Sequence, residues 1–332
     1  MNKVLGLAIL IAILILTPLY TTTRGELKTL QIGTQSLPIT IDGNPGEWGT
    51  YDCTGKAPGL YLVTVNNIPQ WIWCDPEGDE RTDFTGFSAP DPRADLLQFR
   101  VTADENYLYG LVIVKQMPFN IGDDGGTFVA ITINRNGSTP GEEWFAGYSE
   151  TKVDSNAKWQ YQVVLNLADS RYRGQGKTQV TDTLQDNWGG IYYIVNYTWS
   201  FQSDPDASVG ADVSHSAIEF RVKWSTIGDV PSGGSFFLRI SLITARGWSN
   251  YGGNSGEAWD IGGASDALDC ITITGPNTWD EVQDGVVNYY IDLYFATTPP
   301  YYPIPEPIVI PLLVAGAGGG FTAYLFKARR RK

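Results

Sequence analysis

The chain has 332 residues and a formal net charge of -13, with 36 Asp and Glu residues against 23 Lys and Arg residues. So acidic a protein repels phosphate backbones, which excludes nucleic acid as an expected partner and favours neutral ligands or cations. Aromatic residues make up 13% of the chain, charged residues only 18%, and there are 37 glycines, a balance typical of strand-rich secreted proteins.

Residues 1–24 predict a secretory signal peptide. Lys3 precedes an apolar run over residues 4–16, which is short for crossing a hydrocarbon core of about 30 Å, and polar threonines follow at 21–23. We therefore expect the rest of the chain to be exported.

Period-two alternation of apolar and polar residues runs through residues 25–298, the predicted ectodomain, as expected for strands with one buried face. In chain order the predicted strands are 37–41, 97–101, 107–115, 127–134, 159–167, 191–201, 218–224, 236–246, 267–274 and 286–296. Clusters of Gly, Pro, Asn and Asp separate them, and no segment between the two ends predicts a long amphipathic helix. The predicted fold is one all-β domain, an antiparallel β-sandwich of jelly-roll-like topology.

The C-terminal residues predict a membrane anchor. A stiff proline-rich spacer over residues 299–307 leads into an apolar run over 308–326, which is long enough for one tilted transmembrane helix. The basic tail, residues 327–332, should stay in the cytoplasm by the positive-inside rule. This order also resembles the sorting tails of surface proteins that a membrane peptidase trims, and cleavage of the tail is left open. The predicted topology is single-pass in the cell membrane, with the ectodomain outside.

The three cysteines fit an oxidising compartment. Cys53 and Cys74 lie close together in the chain, whereas Cys270 is alone near the end. We expect a Cys53–Cys74 disulfide and a buried Cys270 thiol, with three unpaired cysteines as the alternative, because connectivity cannot be read from sequence.

An acidic loop predicts a structural calcium site. Its oxygen ligands would be Asp75, Glu77, Asp79 and Asp83, with Asp95 a little further on, and Pro76 and Gly78 interrupt the run. The spacing is not that of an EF-hand, and Asp and Gly also build turns without any metal. Weaker acidic clusters are Asp123 with Asp124 and Asp266 with Asp269.

Aromatic residues in Gly-, Asn- and Asp-rich segments predict a carbohydrate site, because sugar rings stack on flat aromatic side chains. The densest group is Trp248, Tyr251 and Trp259, to which we add Trp73. Other tryptophans in such segments are Trp71, Trp144 and Trp188, while Trp48, Trp159 and Trp224 are predicted to pack in the core.

No motif predicts catalysis. His215 is the only histidine, and the sequence has no Gly-x-Ser-x-Gly elbow, zinc pattern or phosphate loop. We assign no catalytic residue and do not expect an enzyme. A glycosidase and a haem protein with His215 and Met117 as axial ligands are remote alternatives.

Three ordered segments carry a family resemblance: the IDGNPGEW run at 41–48, the WCDPEGD run at 73–79 with the strands at 94–101 and 107–114, and the WDIGGASDALD run at 259–269. Together they resemble the β-sandwich modules at the C-terminus of glucodextranases and related archaeal starch-degrading enzymes. That group is similar to family 9 carbohydrate-binding modules and DOMON-like domains. The chain departs from it in having no attached hydrolase domain and a longer region at 186–208, whose role is open.

The resemblance implies a surface module of an archaeon or bacterium that holds extracellular poly- or oligosaccharide. Its partners would be the glycan, the membrane, and a surface glycoside hydrolase or transporter. The alternative is a structural envelope or filament subunit that binds no glycan. An exposed aromatic platform favours the first, and a long unpaired edge strand favours the second.

Overall fold

The computed structural model describes residues 28–85, 89–117, 126–137, 141–145, 149–166, 179–183, 189–195, 198–202, 208–212, 215–231, 233–247, 258–272 and 281–297. The predicted signal peptide, spacer, membrane helix and basic tail lie outside these residues, so they stay predictions. Within the described ranges, no helix has the length and apolar character needed to cross a membrane.

Strands make up nearly all of the described regular structure. In chain order they are β1 (Leu30–Ile32), β2 (Gly59–Val65), β3 (Ile68–Cys74), β4 (Leu96–Ala103), β5 (Tyr107–Val114), β6 (Gly126–Arg135), β7 (Lys152–Val153), β8 (Tyr161–Asn166), β9 (Gln179–Thr183), β10 (Gly189–Val195), β11 (Thr198–Gln202), β12 (Ser208–Asp212), β13 (Ala217–Lys223), β14 (Gly234–Gly247), β15 (Asp269–Cys270), β16 (Val286–Val287) and β17 (Ile291–Thr297). One 3-10 turn covers Ser155–Ala157.

The strands form two large sheets and one small one. The first sheet has the order β1-β17-β14-β6-β8-β10-β11, with β15 paired to β14, and the second has the order β2-β3-β4-β5-β13-β12-β9. Every pairing in these two sheets is antiparallel except that of β1 with β17. The main hydrophobic core joins side chains of both sheets, such as Val112 and Phe220 with Ile131 and Leu238. The all-β sandwich predicted from alternation is therefore confirmed.

Strand β6 of the first sheet is buried on both faces. Along β6, Val129 and Ile131 enter the main core, while Phe128 and Ala130 enter a second core on the opposite face. That second core is completed by residues of the described segments 141–145, 149–159, 258–272 and 281–287, which include the small sheet β16-β7. Long connections are thus packed onto the sandwich as a third layer, and they bring residues 258–272 against β14.

The 41–48 segment closes the outer face of the second sheet. Trp48 is fully buried there, and its Nε1 donates to the carboxylate of Glu219 on β13 at 2.8 Å. The same carboxylate accepts from the Gly43 and Asp42 amides at 2.7 and 3.1 Å. Burial raises the pKa of Glu219 to about 7, against the opposing effect of these hydrogen bonds.

Several predicted strand boundaries are wrong. Residues 191–201 form the hairpin β10-β11 instead of one strand, 286–296 divide into β16 and β17, and 37–41 pack on the second sheet without joining it. The pair β2-β3 was not predicted. Six of the seven residues in β3 are buried or nearly so, because both faces are covered, and such a strand shows no alternation to read.

Candidate functional site

A cluster of carboxylates lies where the two sheets meet at one end of the sandwich. Asp75 directly follows β3, Asp79 lies in the turn beyond it, and Asp269 begins β15. One oxygen from each of these three side chains lies within 4.8 Å of the others. Oxygens on opposite sides of a bound Ca²⁺ are about 4.6 to 5.2 Å apart, so the three can surround one such ion.

The backbone fixes these segments to one another. The Asp75 amide donates to the Leu97 carbonyl at 3.1 Å, which continues the β3-β4 pairing past the end of β3. Asp269 Oδ2 accepts from the Leu96 amide at 2.7 Å, and this bond joins β15 of the first sheet to β4 of the second. Since the bond crosses from sheet to sheet, the cluster is held at the seam of the sandwich.

Several oxygens of the cluster lack a donor. Among the described residues, Asp75 Oδ2, Asp79 Oδ1 and both oxygens of the adjacent Glu80 are buried and have no hydrogen-bond partner. Burial, reinforced by the charges of Asp269 and Asp79, raises the pKa of Asp75 well above its usual value. Burial and the charge of Asp95 raise the pKa of Asp79 to about 7. Buried oxygens with no donor are costly in a protein, and a divalent cation satisfies and neutralises them together.

Asp95 lies beside the cluster and is already partly satisfied. Its oxygens accept from the Gly78 amide at 3.2 and 3.1 Å, and Oδ2 lies 3.3 Å from the Lys115 ammonium. Burial, together with the nearby charge of Glu80, nevertheless raises the pKa of Asp95 to about 6. We therefore regard Asp95 as a neighbour that supports the turn at Gly78 and has an oxygen near the cluster.

Two of the predicted calcium ligands are directed elsewhere. Glu77 pairs with Lys115 at 3.3 Å, and Asp83 pairs with Arg81 at 2.7 Å. Glu77 and Asp83 are the more exposed of the five predicted ligands, with side chains 64% and 43% exposed, so solvent and these cations satisfy them. The structure therefore places Glu77 and Asp83 outside the group formed by Asp75, Asp79 and Asp269, and their assignment as calcium ligands stays a prediction.

One member of the cluster, Asp269, and the adjacent Glu80 are not among the predicted ligands. Asp269 was noted only as part of a weaker acidic pair, and Glu80 was not singled out at all. The available signal was that Asp269 stands alone among apolar residues that begin a strand, a position where a carboxylate needs a specific partner. Glu80 gave no signal beyond its place in the acidic run.

The disulfide is the one expected from the sequence. Cys53 is bonded to Cys74, with their Cα atoms 5.6 Å apart, and Cys270 is a buried free thiol. Cys74 directly precedes Asp75, so the covalent bond restrains the chain at the entrance to the cluster.

Trp73 belongs to the interior. It is 2% exposed, and its Nε1 donates to Asp75 Oδ1 at 2.6 Å. The prediction that Trp73 stacks on a sugar is therefore wrong, and its role is to fix one oxygen of the cluster. Trp71, on the same strand, is 4% exposed and donates to the Tyr294 carbonyl. The expected core positions of Trp48, Trp159 and Trp224 are confirmed.

Of the aromatic residues predicted to bind sugar, Trp259 is described by the structure and lies near the surface. Its ring is partly buried, and the Arg246 guanidinium lies 5.4 Å from the ring centroid. Arg246 also lies 3.7 Å from Asp91, which in turn pairs with Arg93 at 2.6 Å. Arg246 and Asp91 are themselves buried, at 5% and 1% exposed, so this charged group fixes the indole ring from the protein side and leaves only the outer part of the ring for a ligand.

Trp248 and Tyr251 lie outside the described residues. The two ends of their segment are described, and Gly247 pairs with Ala258 in an antiparallel bridge. Trp144 is the exposed large apolar residue of the described part, at 41%, with the Lys152 ammonium 4.2 Å from its ring centroid. Of the two residues considered as haem ligands, Met117 packs in the main core and His215 is exposed.

No family model and no curated protein matches the chain. Among solved structures, the chain is similar to a family 9 carbohydrate-binding module from Caldicellulosiruptor kristjanssonii, solved in complex with cellotriose. The two are 12% identical, the match covers 86% of this chain and 99% of that one, and the TM-score is 0.29. A TM-score this low carries no argument about the fold or ligand of this chain, whose sandwich is shown by its own sheets.

Proposed function

We propose that this protein is a non-catalytic glycan-binding module, displayed on the cell surface by its C-terminal segment and stabilised by a Ca²⁺ ion. The observation that carries the proposal is at one end of the sandwich. There the Trp259 ring lies against Arg246, in a segment joined to a carboxylate cluster with buried, unpartnered oxygens.

The chemistry of the donors supports calcium. All of the side chains that converge are carboxylates, and hard oxygen ligands in numbers of six to eight suit Ca²⁺. Asp75, Asp79 and Asp269 would bind the ion, with Glu80 or Asp95 adding oxygens from the rim. Removing the ion leaves like charges facing each other in a buried space, so calcium should raise the stability of the fold.

The calcium site is tested by metal analysis and thermal melting of the full chain purified in detergent. We expect bound calcium, and a melting temperature that falls in chelator, since an ion at 100 times its Kd contributes about 2.7 kcal/mol. The matched control is Glu105→Gln, which removes one exposed carboxylate. A chain that contains no metal and melts identically in calcium and in chelator would remove the site.

Glycan binding is tested on a glycan array with the same protein, with and without calcium. Trp259→Ala should weaken retention by about 1 to 3 kcal/mol if the ring stacks on sugar. Trp144→Ala is the matched control, because Trp144 is the more exposed indole and lies in another connection. If only Trp144→Ala reduces retention, the site is at Trp144; if the wild type retains no glycan, the function is wrong.

A structural subunit is the second candidate, and the edge strand β2 favours it. Gly59–Val65 carries no charged side chain and, among the described residues, pairs only with β3. An uncharged edge of this length can add a strand from another chain. Thr64 is the exposed residue of β2, so Thr64→Lys should disperse an assembly built on this edge. Sedimentation of the wild type as a monomer would exclude this role.

A further inference from the structure

Two segments that lead to the carboxylate cluster run side by side. The Arg81 amide donates to the Leu268 carbonyl at 2.7 Å, and the Thr85 amide donates to the Ile261 carbonyl at 3.2 Å. Residues 79–85 therefore border residues 261–268, the continuation of the segment that begins with Trp259. Phe84, Ile261 and Leu268 share a small apolar cluster, against which Trp259 packs.

The side chain of Arg81 fastens these segments together. It is 2% exposed and donates from Nη2 to the Gly262 carbonyl at 2.9 Å and from Nη1 to the Ser265 carbonyl. Its Nε donates to Asp83 at 2.7 Å. A buried guanidinium that makes these three contacts fixes the path of residues 262–265, whose carbonyls turn inward toward it.

The glycine pair at 262–263 is what allows this approach. Both residues have a positive φ, 81° for Gly262 and 97° for Gly263, a conformation that residues other than glycine rarely adopt. A Cβ atom at Gly263 would also lie 2.9 Å from Arg81 Nη2. The two glycines therefore permit the backbone turn and the close approach of Arg81, which explains why the sequence has Gly-Gly after Trp-Asp-Ile.

Both segments end at the cluster. Asp79 lies two residues before Arg81, and Asp269 lies one residue after Leu268, so an ion bound by Asp79 and Asp269 would pull the two segments together next to the Arg81 contact. Without the ion, the carboxylates repel one another across the same gap. Binding of an ion in the cluster and the position of residues 261–266 therefore both depend on the distance between the two segments.

We propose that cation binding in the cluster positions the 259–266 segment through Arg81, so that cation and ligand binding are positively coupled. The identity of the ligand rests on the proposed function, whereas the ordering of the segment does not. Coupling between two sites is reciprocal and commonly amounts to about fivefold to 150-fold in affinity. Calcium should therefore increase glycan affinity within this range, although no glycan contact to the ion is required.

Hydrogen exchange on the full chain in detergent tests the coupling. In the wild type, calcium should slow amide exchange both in residues 75–81 and in residues 261–268. In Arg81→Met, calcium should still slow exchange in 75–80, while 261–266 should exchange faster than in the wild type and to the same extent at any calcium concentration. The Asp266 and Ile261 amides keep acceptors of their own, Ser149 O and Asp266 Oδ1, and should change least. Asp83→Asn is the control, since it removes the negative charge of the exposed partner but keeps an oxygen that can accept from Arg81 Nε, so it should behave as the wild type does. If Arg81→Met does not fold, Arg81→Lys, which keeps the charge but not the fork of donors, replaces it with the same expectation.

The outcomes separate the two proposals. Equal calcium protection of 261–266 in the Arg81 variant, or full protection of the wild-type segment in chelator, would overturn the coupling. Failure to bind calcium would overturn it together with the cation site. Calcium-dependent ordering in a protein that retains no glycan would support the coupling and refute glycan binding. Retention that is equal with and without calcium would support glycan binding and refute the coupling.

Discussion

Replacing Asp79 by Asn should change the free energy of unfolding in opposite directions with and without calcium. Asp79 is one of the three carboxylates whose oxygens lie within 4.8 Å, and its Oδ1 is buried without a donor among the described residues. Asn keeps the shape of the side chain, removes one negative charge and supplies two N–H donors. In the calcium-free protein those donors can bond to the remaining carboxylates of Asp75 and Asp269.

The magnitudes follow from this geometry. A buried polar group without a partner costs about 1 to 3 kcal/mol, and because Asp79 is only partly buried we expect the calcium-free variant to gain about 1 kcal/mol. At 100 times its Kd, calcium stabilises the wild type by about 2.7 kcal/mol, but it would stabilise a variant that binds a hundredfold more weakly by only about 0.4 kcal/mol. In calcium, the variant should therefore be about 1.3 kcal/mol less stable than the wild type.

Urea unfolding followed by tryptophan fluorescence measures both values, once in calcium and once in chelator. Glu105→Gln is the control for removing a negative charge elsewhere, and it should shift the two curves by similar small amounts. If Asp79→Asn shifts stability in the same direction and by the same amount in both buffers, Asp79 does not bind a cation, and the cluster is a group of buried carboxyl side chains that holds no ion.

Three further predictions concern the sandwich itself. A Cβ atom at Gly110 would lie 2.1 Å from the Phe220 ring, so Gly110→Ala should lower the free energy of unfolding by about 1 to 3 kcal/mol, and an unchanged urea midpoint would show that the ring can move aside. Trp224 is 2% exposed and packs edge-on against Phe236, so Trp224→Ala should cost about 3 to 5 kcal/mol in the same assay without removing ligand binding. Burial raises the pKa of Glu219 from its ordinary value of 4.5 to about 7, so its contribution to stability is present below pH 4.5 and is lost as the pH rises through 7. Glu219→Gln should remove that part of the pH dependence, and an identical pH profile for variant and wild type would count against the raised pKa.

The local part of the site could be predicted from the sequence, and the long-range part could not. Asp75 and Asp79 are close in the chain, and the positive φ of Gly78, 83°, provides the turn that brings them together. Asp269 reaches the same place only because β15 pairs with β14, which lies next to the seam with β4. No pattern in the sequence specifies that register, so Asp269 could be noted as acidic but not placed.

The predicted loop positions of Trp71 and Trp73 are wrong for a related reason. Trp71 and Trp73 are followed by Asp75 and Pro76, and the polar flank made them look like loop residues. They lie on β3, which has both faces covered and therefore shows no alternation of apolar and polar residues. The short Trp73–Asp75 spacing was informative in another way, because a buried indole N–H needs an acceptor and the nearby carboxylate supplies one.

The irregular backbone of residues 74–85 gives a physical reason why a bound cation would stabilise this segment. This stretch has no regular secondary structure after Cys74, and ordering its backbone costs on the order of 10 kcal/mol. The disulfide to Cys53 restrains its start, and Arg81 restrains its end against residues 262–265. Between them, the carboxylates repel each other, so this middle part is the weakest unless an ion binds. Because the ion would also hold Asp269, its presence would set the position of the segment that carries Trp259. Under the proposed function, glycan binding at that segment would then depend on the calcium concentration.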